Sequence, residues 1–186
     1  MTVSLICAAF NRPQVLPVLL HCLRVQTHQD WECLVMDESP ERVNLDVVAT
    51  INDDRIQHVP CDRFNDWGQS VKRIGAEMSQ GAVLGFPNDD AYYTPTYLER
   101  MAGTLKRDKL GLVYCDWLFD IMGYVPWCAQ PVVGHIDVGG FLVTREAMKH
   151  VPWTGAHQTA DGEWVQAMVA AGIRHGKAPG VLYVKN

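Results

Sequence analysis

The sequence predicts a single α/β domain, with a central, mostly parallel sheet flanked by helices. Three observations carry this expectation. Apolar strand-like runs alternate with helically spaced apolar residues in the order β-α-β-α-β between Val3 and Val59. An acidic turn, Asn88-Asp89-Asp90, follows directly on another buried-type strand, where open α/β sheets bind ligands. With 186 residues, 48% hydrophobic and 20% charged, the chain can bury one full core and is too short for two of ordinary size.

Val3–Ala8 is short and almost wholly apolar, a strand signal. After the turn Phe10-Asn11-Arg12-Pro13 come Leu16, Leu19, Leu20 and Leu23 at helical spacing. Pro17 lacks an N–H, which draws the helix start toward it. Trp31–Met36 is a second strand, ending in Asp37-Glu38-Ser39-Pro40. A weaker helix over Leu45–Ile51 leads to a third strand, Arg55–Val59. Asp66 can cap a helix whose Trp67, Val71, Ile74 and Met78 share one face, with Gly81 ending it. Ala82–Phe86 is the next buried strand.

Beyond the acidic turn, Thr94-Pro95 opens a helix with Tyr97, Leu98, Met101 and Leu105 facing inward. Leu112–Trp117 and a less regular stretch to Cys128 read as strands, and Val132–Gly140 as a loop. Phe141–Val143 is apolar and Arg145–His150 helical. Asp161 starts a helix with Trp164, Val165, Met168 and Gly172 along one side. There is no repeat, low-complexity tract or linker.

A net charge of -5 gives no broad basic surface, which argues against a large nucleic-acid or anionic-membrane interface. Any phosphate bound is expected on a small ligand. No basic leader opens the chain and no run approaches the roughly 18 apolar residues of a membrane span, so a cytoplasmic location is expected. Six cysteines without C-x-x-C or zinc-finger spacing read as reduced, buried thiols.

On the turn Asn88-Asp89-Asp90, carboxylates can present oxygens to a hard cation that also binds a diphosphate. A solvated turn explains the same residues, although the preceding strand favours a functional role. Asp37 either accepts hydrogen bonds from a nucleobase imide or ribose hydroxyl, or simply starts the turn before Pro40. Lys72 and Arg73 lie off the apolar face of their helix, as phosphate partners or as a solvated face. Asp161 is a helix N-cap, a rigidly held general base, or both, with Glu163 as its competitor two positions on. Seven histidines form no H-E-x-x-H pattern, and His135 and His175 remain candidates. The absence of a G-x-S-x-G elbow argues against a nucleophilic hydrolase.

The opening Val3-Ser4-Leu5-Ile6-Cys7-Ala8-Ala9-Phe10-Asn11-Arg12-Pro13, the strand ending at Asp37, the Lys72-Arg73-x-Gly75 helix running into Gly81, and Phe86-Pro87-Asn88-Asp89-Asp90 together resemble family 2 glycosyltransferases in order and spacing. The resemblance extends to Asp137-Val138-Gly139-Gly140-Phe141 with Arg145 and to Ala160-Asp161-Gly162, and so covers nearly the whole chain. It implies a Rossmann-like glycosyltransferase A fold spanning 1–186 as one domain. Its first half, to about residue 90, holds the nucleotide; the second, from about 91, receives the acceptor. By the same likeness Ala8, Ala9 and Asp37 line the base and ribose pocket and Asp89 approaches the ribose or diphosphate. Lys72 completes the nucleotide-binding set. Asp90, the last carboxylate of the family's D-x-D motif, ligates Mn2+ or Mg2+, and Asp161 is the catalytic base.

Asn88 departs from the usual first Asp of that motif and leaves fewer charges for a metal. Ala160 stands where relatives often have a second acid, and the Q-x-x-R-W signature of processive synthases is absent. The implied activity is inverting, metal-dependent transfer of a sugar from a nucleoside-diphosphate sugar, expected to be a UDP-sugar, to an acceptor hydroxyl. The acidic net charge disfavours a nucleic-acid acceptor. One alternative is a nucleotidyltransferase, against which the glycine-free loop Ala8–Pro13 counts. Another is a nucleotide-sugar-binding protein without turnover, to which Asn88 and Ala160 lend weight.

Overall fold

In the computed structural model, which describes residues 1–186, the apolar N-terminal run forms β1 (Val3–Ala9), nearly all of it buried, as suits a parallel strand covered on both faces. There follow α1 (Leu16–Arg24), with Pro17 in its first turn, β2 (Trp31–Asp37), α2 (Leu45–Ile51), β3 (Ile56–Pro60), α3 (Gln69–Met78) and β4 (Val83–Gly85). β2 runs parallel to β1 from the pair Val3–Trp31 to the pair Ala9–Asp37; β3 lies parallel on its far side and β4 parallel on the other side of β1. Every strand of this half therefore directs its carboxyl end to one edge of the sheet.

The second half comprises β5 (Tyr92–Tyr93), α4 (Tyr97–Arg107), β6 (Leu112–Phe119), β7 (Val125–Trp127), β8 (Phe141–Thr144), α5 (Arg145–His150), α6 (Ala160–Ala170) and β9 (His175–Lys185). β8 joins the halves by pairing antiparallel with both β4 and β6; β9 runs parallel to β6, and β5 and β7 pair antiparallel with β9 and β6. The order is β3-β2-β1-β4-β8-β6-β9-β5, with β7 on β6. One apolar cluster runs through both halves, and at the join the Phe86 ring packs edge-on against Trp153 at 5.0 Å.

α3 turns a different face inward from the one its apolar residues suggest. Trp67 lies ahead of the helix, Ile74 and Met78 are exposed, and the buried residues include Val71, Lys72, Gly75 and Ala76. The cause is a close approach to β1: a Cβ at Gly75 would lie 2.5 Å from Ile6 Cγ2. The smallest residues set the contact, and Lys72, one turn earlier, is carried inward with them. Asp66 does serve the helix start, accepting from Ser70 N–H at 2.8 Å. Gly81 lies beyond the helix end, and its N–H donates to Ser4 Oγ at 2.7 Å.

Two further differences concern the C-terminal part. β9 carries no clear strand signal, because Gly176, Pro179 and Gly180 interrupt it; pairing with β6 makes it a strand, through register shifts between Tyr114 and Trp117. α6 takes Thr159 as its N-cap and places Asp161 inside the first turn, while Gly172 lies past its end. All six cysteines are free, but only Cys7, Cys33 and Cys115 are buried and Cys128 is exposed. No helix is long and apolar enough to cross a membrane.

Candidate active site

A cavity of about 890 Å³ opens at the carboxyl edge of the parallel strands. Its walls come from the end of β1, the loop leading into α3, the turn after β4, the strands β6 and β7, the segment 133–138, the start of α6 and the last residues of β9. Of the residues singled out in the sequence, Ala8, Ala9, Lys72, Asp89, Asp90 and Asp161 all line it. Glu163 does not: it is exposed and pairs with His157 at 3.3 Å. His135 and His175 are exposed outside the lining, and His135 packs against Trp127 at 5.6 Å.

Asp37 closes β2 but is not in the cavity wall. It is 1% exposed. Its Oδ1 accepts from Asn44 Nδ2 at 2.8 Å and Ser39 N–H at 3.1 Å, and its Oδ2 lies 2.9 Å from His58 Nε2. Burial pushes its carboxyl up, yet the bonds from Ser39, His58 and Asn44 outweigh that and hold it below the usual range. The neighbouring Glu38 lines the cavity instead, its Oε1 accepting from Phe64 N–H at 2.9 Å.

At the acidic turn, burial and then the charge of Asp90 raise the Asp89 carboxyl to about 6, against the lowering pull of Arg12, the Phe10 backbone and Lys72. Asp90 Oδ2 accepts from Arg12 Nη1 at 2.7 Å. No group of three or more His, Cys, Asp or Glu side chains is arranged to hold a metal alone. The donor set nevertheless suits a hard cation of the Mg2+ type, which takes one or two carboxylates and completes its shell with phosphate oxygens and water.

Lys72, 6% exposed, donates from Nζ to the Trp67 carbonyl at 3.2 Å. Burial lowers its ammonium, and Asp161, Asp137, Cys7 and Asp66 resist the fall. Asp161 faces the opposite bias: burial and then the charge of Asp137 raise its carboxyl, while Gly162 N–H, Lys72 and Lys185 lower it.

Asp137 is the hub of this region. Its Oδ1 accepts from Asn88 Nδ2, Gly139 N–H and Tyr183 Oη, each at 3.0 Å, and its Oδ2 pairs with Lys185. Cross-strand register sets Trp127, Trp117 and Tyr183 in one row and Phe119 and Lys185 in the next. Trp117, Phe119, Trp127 and Lys185 from these rows line the cavity. Sequence reasoning did not find Lys185, whose strand was unread, or Glu38. It took Trp67 for core. Arg12 stood in a quoted motif with no role given; its position one turn-residue before Pro13 at the end of an apolar strand was the available signal.

The model of the family described as Glycosyl transferase family 2 matches residues 4–136. An uncharacterized glycosyltransferase of Haemophilus influenzae is 25% identical over 134 residues, which cover 69% of this chain and 44% of that protein. The crystal structure of S. aureus TarS 1–349 superposes with a TM-score of 0.83 at 12% identity, over 100% of this chain and 60% of that one; TarS 1–349 has also been solved with UDP and with UDP-GlcNAc. The mannosyltransferase PcManGT from Pyrobaculum calidifontis, solved with GDP-Man and Mn2+, gives a TM-score of 0.80 at 16% identity, over 98% of this chain and 56% of that one. The chain thus spans less than two thirds of each of these proteins.

Proposed function

The chain belongs to glycosyl transferase family 2, and from that premise we propose that it transfers a sugar from a nucleoside-diphosphate sugar to an acceptor hydroxyl, with inversion at the anomeric carbon. The observation that carries the reading is the meeting, in one cavity, of the cation-binding type of turn Asp89-Asp90, the cations Arg12 and Lys72, and the raised carboxyl of Asp161. Residues 1–90 are the nucleotide-binding half and residues 91–186 the acceptor half of one domain.

Ala8 and Ala9, with small side chains at the end of β1, leave room for the nucleoside, and Glu38 offers a carboxylate beside it, while the buried Asp37 only braces the end of β2 behind the wall. Asp90 would hold Mn2+ or Mg2+, with Asp89 beside it toward the ribose or diphosphate. Such an ion, when bound, neutralises charge developing on the departing diphosphate. Arg12 and Lys72 add fixed positive charge at the same place. Asp161 takes the proton of the acceptor hydroxyl as its oxygen bonds to the anomeric carbon and the bond from that carbon to the diphosphate oxygen breaks. A carboxylate whose affinity for a proton is raised is a stronger base for this step. UDP is the first nucleotide to test, in view of the TarS complexes, and GDP the second, in view of PcManGT.

The test is calorimetric titration of UDP and GDP into the wild type and Asp90→Ala, with and without Mn2+, followed by assay of nucleotide release from the matching donor sugars. Metal-assisted binding that Asp90→Ala loses, together with donor turnover, supports the reading. Binding without turnover, whatever acceptor is supplied, would replace it with the sugar-nucleotide-binding alternative. No binding of any nucleotide removes both.

A further inference from the structure

We propose that Trp67 stacks on the nucleobase of the bound donor, an inference that rests on the nucleotide-sugar reading above. The loop ahead of α3 is unusual in its backbone: Asn65, Trp67 and Gly68 have φ of 57°, 62° and 73°. For a residue as bulky as Trp the left-handed region is unfavourable, and such a conformation persists only where its surroundings enforce it.

Those surroundings are visible. Gly68 sits so close to the end of β1 that a Cβ on it would lie 2.7 Å from Ala8 Cβ. Lys72 Nζ holds the Trp67 carbonyl. Asp66 is tied to Ser70 N–H. With the peptide fixed from these directions, the indole is left 67% exposed on the cavity wall.

A singly exposed apolar side chain is ordinary, but this one is an indole on a backbone held in a strained pose at the wall of a cavity, where a planar ligand can cover it. No aromatic ring or cation of this chain stacks on Trp67. Phe10, the other aromatic lining this end of the cavity, already has the Arg63 guanidinium 3.3 Å from its ring centroid, and Arg63 is anchored through Nε to Asn65 Oδ1 at 2.9 Å. Trp67 therefore offers the free π-face here. The contact of its loop with Ala8, and the position of Glu38 beyond the end of β2, place that face at the nucleoside end of the cavity. The segments bearing Asp161 and Trp117 form the other walls. Stacking accepts any base, because every base has a π-face.

The test uses the tryptophan emission of the whole chain. Trp31, Trp117, Trp153 and Trp164 are buried and Trp127 is half-buried in the same cavity, so the difference in iodide quenching between the wild type and Trp67→Phe isolates Trp67. UDP or GDP, whichever binds, is expected to shield it, whereas inorganic pyrophosphate and ribose 5-phosphate are not. By calorimetry, Trp67→Ala weakens nucleotide binding by about tenfold or more and leaves pyrophosphate binding unchanged, and Trp67→Phe, which keeps a ring, retains most of the affinity. Nucleotide binding that leaves quenching unaltered, or that is equally tight in Trp67→Ala, overturns the stacking while the sugar-nucleotide reading stands. Shielding by the donor sugar but not by its free nucleotide assigns Trp67 to the sugar and overturns it too. If the wild type binds no nucleotide, the parent reading fails and this one with it.

Discussion

Asn88 Nδ2 donates to Asp137 Oδ1 at 3.0 Å, joining the acidic turn after β4 to the segment ahead of β8. This bond accounts for the Asn at the first position of the motif. A carboxylate there would face the buried carboxylate of Asp137 and take away one of its donors. Asn88→Asp is therefore expected to destabilise the fold by about 2–3 kcal/mol at neutral pH. The penalty requires the new carboxylate to be charged, so it fades as pH falls and that group is protonated. Thermal unfolding of wild type and variant at pH 7 and pH 4.5 measures both effects; an equal loss at the two pH values would count against the charge explanation.

Asp161→Asn is expected to lower donor turnover by about 10²–10⁴-fold with nucleotide affinity unchanged. Because burial and Asp137 raise the Asp161 carboxyl, and because a base works deprotonated, transfer should be lost as pH falls through that raised value. The acid limb of log kcat then lies above the ~3.9 of an ordinary Asp. Lys185→Met removes a charge that lowers the Asp161 carboxyl, so it should move the limb to higher pH. A limb that ignores Lys185 would place the titrating group elsewhere.

Arg12 competes with any cation for Asp90, since the two side chains already form an ion pair. Arg12→Ala should tighten Mn2+ binding to the free protein by about threefold to fivefold, the scale of a largely exposed pair, and weaken nucleotide binding in the absence of metal. Manganese titration with and without UDP reads both. Weaker Mn2+ binding in the variant would contradict the competition.

Asp37 is expected to matter for stability. Asp37→Ala leaves the donors on Asn44 and Ser39 and the His58 ring without their acceptor, at a cost of about 3 kcal/mol at pH 7. Hydrogen bonding holds the folded-state carboxyl low. The stability it contributes is thus fully present above the unfolded value of ~3.9 and is lost as pH falls through the lower folded value. The difference in Tm between wild type and variant should shrink in that acid window. An unchanged Tm at pH 7 would mean that the network around Asp37 is not stabilising.

The alternation of strands and helices was legible in the sequence because apolar periodicity is local, and so was the position of Asn88-Asp89-Asp90 at a strand's end. The inward residues of α4 followed from spacing alone, since Tyr97, Leu98, Met101 and Leu105 all lie on one face. In the same way a short apolar run sufficed to mark β1 and β2. These features depend on neighbours within one or two helical turns.

What only the tertiary structure decided depends on meetings between distant segments. Lys72 is inside because Gly75 lets α3 close on Ile6, a fact of fit that outweighs the helix's own apolar pattern. Asp37 turned away from the cavity because His58 and Asn44, on other elements, reached it first. Tyr183 and Lys185 became partners of Asp137 only through the pairing of β9 with β6. Periodicity carries no record of such pairings, because a side chain's neighbours across the sheet are fixed by register and packing rather than by the residues beside it in the chain.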